Sequence, residues 1–209
     1  GGVVLTGQFS GTVDFGGGSR TSAGLDDGFI VMLSSGGTHV WSATFGSPGS
    51  DAGTGVAIDT AGNVVATGLF GGTVDFGGGP IASAGAADAF VLELSPAGAL
   101  LWALRFGSTG GDAGYGVSVD PSGNVGVTGA FSATVDFGTG GLSSAGAADV
   151  FVAKFDGTGG PLWARRFGGA IDDRGQGIAM DSLGNVVFTG SFQDTVDFGR
   201  GPVTSAGSR

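Results

Sequence analysis

Cysteine is absent from the 209-residue chain, and histidine occurs once, at His39. Without thiols there is no disulfide, no thiolate nucleophile and no sulfur-based metal site. One imidazole cannot assemble a histidine-rich zinc or copper centre. Basic residues are scarce: 8 Lys+Arg against 18 Asp+Glu give a net charge of −10. These cations are scattered, so no positive stripe follows a phosphate backbone, which argues against nucleic acid and anionic membrane surfaces as partners. Apolar runs stop at about six residues, far short of a bilayer-spanning segment, so no membrane insertion is expected.

What the chain has in excess is glycine, 48 residues, which with 6 Pro makes about a quarter of the sequence. That level ordinarily signals low complexity. Two features oppose disorder: the glycines are periodic, and 16 Phe and 3 Trp must be buried. The pentapeptide TVDFG begins at Thr12, Thr73, Thr134 and Thr195, each copy 61 residues after the last. At the same spacing GFIVML (28–33) lies over AFVLEL (89–94) and VFVAKF (150–155), and Trp41, Trp102 and Trp163 align, followed four residues on by Phe45, Phe106 and Phe167. Thirteen of the 18 acidic residues recur with this period, so the acidity belongs to the repeat rather than to a separate patch.

Each unit reads as short strands between Asp-, Asn- and Gly-containing turns, with no helical period. In the second unit the pattern predicts strands at Val56–Asp59, Val64–Thr67, about Ala89–Leu94 and Leu100–Phe106, with TVDFG as a short extra segment followed by glycine-rich turns. Two of these strands are apolar on nearly every residue, as happens when both faces are buried. The expectation is an all-β chain of β-propeller blades, about 3.4 units in a single array: 1–54 (partial), 55–115, 116–176 and 177–209 (partial). A blade of plain size is about 40–50 residues, so this unit carries an insertion. The array is expected to be a segment of a longer propeller, with a signal peptide upstream consistent with this pattern; completion by association of copies is the alternative.

The strings GVSVDPSGNVGVTGAF (116–131), AADVFVAKFDGTGGPLWARRFGG (147–169) and DDRGQGIAMDSLGNVVFTG (172–190) resemble the SBBP-type bacterial β-propeller repeat. The similarity covers the whole chain, apart from the TVDFG insertion that lengthens each unit. The resemblance implies a propeller in secreted or cell-surface bacterial proteins and implies no catalytic residue. The low charge, 12%, suits an extracellular repeat protein.

A search for chemistry yields little. His39 aligns with Leu100 and Pro161 and reads as a chance substitution, which leaves nucleophilic catalysis without a base. Asp51, Asp112 and Asp173 precede the first strand of successive units; a ring of them could bind Ca²⁺ or act as acid and base. The structural alternative is that each accepts backbone N–H bonds of its own turn. The DTAGN, DPSGN and DSLGN turns lack the remaining ligands of a calcium loop, and no cofactor is expected. Asp27, Asp88 and Asp149 read as turn or edge residues, and the glycine runs lack the Lys and helix of a phosphate loop.

Recognition is better sought where the units differ. Thr54, Tyr115 and Gln176 align at the entrance to the first strand, and Arg174 replaces Ala52 and Ala113. These four are the candidate ligand-binding residues. The expected function is a non-catalytic extracellular or cell-surface scaffold binding protein or glycan, in adhesion. A self-assembling structural protein joined through open blade edges is one alternative. A propeller-type polysaccharide lyase or glycosidase using channel carboxylates is another.

Overall fold

The computed structural model describes residues 2–207; Gly1, Ser208 and Arg209, the outermost positions of the first and last units, lie outside the described residues. Every regular element among the described residues is a strand. The first unit comprises β1 (Val3–Phe9), the hairpin β2 (Thr12–Asp14) and β3 (Ser19–Thr21), β4 (Asp27–Leu33) and β5 (His39–Phe45). The second comprises β6 (Ala52–Ile58), β7 (Val64–Phe70), the hairpin β8 (Thr73–Asp75) and β9 (Pro80–Ala82), β10 (Asp88–Leu94) and β11 (Leu100–Phe106). In the third, β12 (Ala113–Val119), β13 (Val125–Asp136), β14 (Gly141–Phe155) and β15 (Pro161–Phe167), the hairpin is the continuous end of β13 and β14. The fourth holds β16 (Arg174–Met180), β17 (Val186–Ser191) and the hairpin β18 (Thr195–Asp197) and β19 (Pro202–Thr204).

The sheets are antiparallel and in sequence order: β1-β4-β5, β6-β7-β10-β11, β12-β13-β14-β15 and β16-β17. Consecutive sheets approach along their first strands, β6 against β12 and β12 against β16. The sheets therefore radiate from that side as propeller blades, and it is called the axial side below.

Residue parity along each strand explains why the middle strands are apolar throughout. On β7 and β10, Val64, Ala66, Phe90, Leu92 and Leu94 face the slab shared with the first sheet, whereas Val65, Ala89 and Val91 face the slab shared with the third. A strand sandwiched between two sheets has no wet face, so alternation of apolar with polar residues disappears. Phe45 and Phe106, at the ends of the last strands, enter the slab of the following blade. Trp41 reaches across too: its indole N–H donates to the Pro96 carbonyl of the next sheet at 2.9 Å.

TVDFG is part of this construction. Val74 is buried while Thr73 and Asp75 are exposed. Asp75 Oδ1 accepts the N–H groups of Gly77 at 2.7 Å and Gly79 at 2.9 Å, folding the chain back from β8 to β9. Both glycines have φ near +108°, a region that side-chain-bearing residues avoid. These backbone bonds hold the Asp75 carboxyl below the usual carboxylate range. The same bonds recur at Asp14, Asp136 and Asp197. The Phe that follows packs inward: Phe76 lies 5.0 Å, ring to ring, from Phe45 of the preceding blade and 4.9 Å from Phe90 of its own.

Three elements differ from the sequence-based expectation: the second strand of the second unit, β7, runs on to Phe70 rather than stopping at Thr67, and two further differences concern its first strand and the insertion. The first strand of the second unit begins at Ala52, not Val56, and the insertion holds a second strand, β9. Both stretches contain Gly or Pro, whose low strand propensity hides pairing that tertiary packing enforces.

Candidate functional site

The earlier start of the first strand brings the variable positions into the sheet. Pairing of β6 with β7 shifts register between Gly53 and Gly55, and the same shift falls between Gly114 and Gly116 and between Gly175 and Gly177. Thr54, Tyr115 and Gln176 are thus the extra residues of three equivalent β-bulges. A bulge leaves its residue unpaired and re-aims its side chain. Because β6, β12 and β16 lie side by side, the three bulges stack across blade boundaries, and Thr54 Oγ1 donates to the Gly114 carbonyl of the next sheet at 2.6 Å.

Thr54, Tyr115, Gln176 and Arg174 together line one open cavity of about 300 Å³. A second hollow of about 240 Å³ shares Tyr115 and Arg174 and reaches Asp112 and Ala148. Arg174 is exposed and makes no ion pair among the described residues. The arrangement offers one aromatic ring, one amide and one guanidinium on rigid strands, which suits recognition of a polar or acidic group.

The recurring carboxylates are occupied differently. Asp51 accepts the N–H of Ser47 at 2.6 Å and of Gly71 at 2.8 Å. Asp112 accepts from Ser108 and Ser132, both at 2.7 Å, and Asp173 from Gly169 at 2.7 Å and Gln193 at 2.8 Å. Each buried carboxylate uses both oxygens to tie the loop before its sheet to the turn after the second strand. Burial pushes the Asp112 carboxyl above its usual range; the Ser132 and Ser108 N–H groups pull against that, and nearby Asp88 adds to it. Among the described residues no three His, Cys, Asp or Glu side chains gather as metal ligands would.

The other acidic residues that recur in every unit are also engaged locally. Asp88 and Asp149 are buried, each accepting a backbone N–H, from Ala84 and Ala145, and pairing with Arg105 and Arg166. In the DxxGN turns, Asp181 accepts the Leu183 and Asn185 N–H groups through one oxygen and the Asn185 amide through the other. The Asn185 side chain, then its backbone, hold that carboxyl below the usual range. Asp120 is also lowered: desolvation is the largest single influence and opposes the shift, but Asn124, Lys154 and Ser122 together outweigh it. His39 lies against Gly16 and Gly17 in the turn of the β2–β3 hairpin of its blade, as Leu100 does at Gly78 and Pro161 at Gly138.

No family model matches the chain. The fold defines a β-propeller repeat protein, and one curated relative agrees in class. The chain is 27% identical over 184 residues to an uncharacterized WD repeat-containing protein of Acanthamoeba polyphaga mimivirus. That alignment covers 77% of this chain and 13% of the relative, so the chain spans only a small part of the relative's length.

Proposed function

We propose that the chain is a non-catalytic scaffold that binds a protein partner through the axial cavity formed by Thr54, Tyr115, Gln176 and Arg174. The observation that carries this reading is the convergence of four non-repeating residues in one cavity: three on equivalent bulges between invariant glycines, and Arg174 at the start of β16. The name of the WD repeat-containing relative supports a repeat scaffold. The occupation of Asp51, Asp112 and Asp173 by backbone N–H groups speaks for a structural role over acid–base work in a lyase or glycosidase. Within this reading the units follow the SBBP-type pattern, the array divides at about residues 54, 115 and 176, and the protein works outside a bacterial cell, in adhesion. Low charge and the resemblance of the repeat strings support these finer points.

The partner group that fits is an acidic side chain beside an apolar one, set against Arg174 and Tyr115. The test is a binding array of extracellular proteins and glycans, probed with the chain and with its Tyr115→Ala/Arg174→Ala variant. A protein ligand whose affinity falls more than about tenfold in the variant, at unchanged melting temperature, is the expected outcome. Ligands that bind both chains equally would refute the axial site, and glycan ligands alone would redirect it to carbohydrate.

A further inference from the structure

The backbone before the first strand of each blade is built alike in three places. Asp51, Asp112 and Asp173 each donate the main-chain N–H to a carbonyl of the preceding blade, Asp26, Ala87 and Ala148 respectively, at 2.7–2.8 Å. The side chains beside these bonds differ. Before β6 stands Ser50, its hydroxyl 3.5 Å from the Asp26 carboxylate, and before β16 stands Asp172, whose carboxylate accepts the Ala148 N–H at 3.3 Å. Before β12 the same position is Gly111, where a Cβ would meet nothing within 4 Å.

The missing side chain opens the hollow of about 240 Å³ that adjoins the axial cavity. Leu69, Ala87, Ala130 and Ala148 line it beside Tyr115 and Arg174. One unit earlier Leu69 and Ala87 are replaced by the polar Gln8 and Asp26. Asp112 borders the hollow, but its two oxygens already accept the Ser108 and Ser132 N–H groups. A guest side chain with a polar tip, such as Tyr or Trp, therefore gains no acceptor from that carboxylate, whereas an aliphatic one gains dispersion contact with the methyl groups. Arg174 lines both spaces, carries no ion pair among the described residues, and offers its guanidinium to a carboxylate. A chain of net charge −10 repels an acidic run, so that carboxylate belongs to a segment otherwise neutral or basic.

We propose that Gly111 is the specificity-determining position of the axial site, opening beside Arg174 a hollow for one aliphatic side chain of the partner. The inference rests on the axial reading given above and adds the partner's chemistry. The partner presents an extended segment, neutral or basic overall, with one acidic and one aliphatic residue two positions apart. Residues so spaced project to the same side of an extended chain, so the carboxylate meets Arg174 while the aliphatic group enters the hollow. Gly111→Asp, which restores the residue found before β16, fills the hollow and sets a second carboxylate against the partner's own.

The probe is a phage-displayed library of random linear peptides, selected on the full chain and counter-selected on its Tyr115→Ala/Arg174→Ala variant. Enrichment of an acidic and an aliphatic residue two positions apart, with Lys or Arg elsewhere, is expected. A labelled peptide from that set, titrated by fluorescence anisotropy, is expected to bind Gly111→Asp more than about tenfold more weakly, at unchanged melting temperature. Replacing the aliphatic residue of the peptide by Ala is expected to weaken binding about tenfold to the native chain and less than about twofold to Gly111→Asp, the mark of two groups that meet. Peptides that depend on Tyr115 and Arg174 yet lack the aliphatic residue, or bind Gly111→Asp equally, overturn this inference and leave the axial reading standing. A library that yields no peptide sensitive to Tyr115→Ala/Arg174→Ala overturns both.

Discussion

Phe137→Ala is expected to lower the unfolding free energy by about 3–5 kcal/mol, the range for emptying an aromatic site in a packed core. Phe137 is 1% exposed, and its ring lies 5.1 Å from Phe106 of the preceding blade, 5.9 Å from Phe131 and 4.7 Å from Phe151. Removing it empties the slab between two sheets, which cannot close up without shifting a whole blade. Phe76, the same residue one unit earlier, is only half-buried and makes the equivalent contacts, so Phe76→Ala falls toward the lower end. Urea unfolding of the two variants checks both the size and the order. A loss below about 0.5 kcal/mol at Phe137, the level of ordinary surface changes, would mean that the TVDFG segment is a surface loop.

The second large effect comes from adding atoms. A Cβ at Gly129 would fall far inside contact distance of the Ala113 carbonyl oxygen and stand 2.6 Å from the Phe151 ring. The oxygen belongs to the bulged first strand and the ring to the core slab, so neither can retreat. Gly129→Ala is expected to destabilise by about 2–3 kcal/mol, the upper end of overpacking. Gly111→Ala is the control: a Cβ there meets nothing within 4 Å, and the change should stay within about 0.5 kcal/mol. Equal midpoints for the two variants would show that the bulge does not crowd the second strand as described.

These residues also show what was legible beforehand. The blade arrangement could be read because TVDFG, the Trp–Phe pairs and the two doubly apolar strands recur at a fixed spacing, and a repeat that is apolar on both faces must be sandwiched. The start of β6 at Ala52 could not: Ala-Gly-Thr-Gly reads as a loop, and only its bulged pairing with Thr67–Leu69 of β7 makes it strand. For the same reason the bulges were invisible, although the residues they carry were not. Thr54, Tyr115 and Gln176 stood out as the positions where otherwise matching units disagree. That they share a cavity with Arg174 follows from β6, β12 and β16 lying side by side, a long-range fact no local pattern encodes. The roles of Asp51, Asp112 and Asp173 were readable only as alternatives, because the decisive N–H groups of Gly71, Ser132 and Gln193 lie twenty residues downstream.

On the proposed function, the repeated residues hold the blades and the non-repeated residues lining the axial cavity serve recognition. Side-by-side urea unfolding of Asp112→Ala and Tyr115→Ala tests that division most directly. Asp112→Ala strips two backbone N–H groups of their buried acceptor and should lose about 2–4 kcal/mol, while Tyr115→Ala, on a bulge facing an open cavity, should stay within about 0.5 kcal/mol. The reverse order, a stable Asp112→Ala and an unfolded Tyr115→Ala, would contradict the account, because the carboxylate would then be spare and the tyrosine structural.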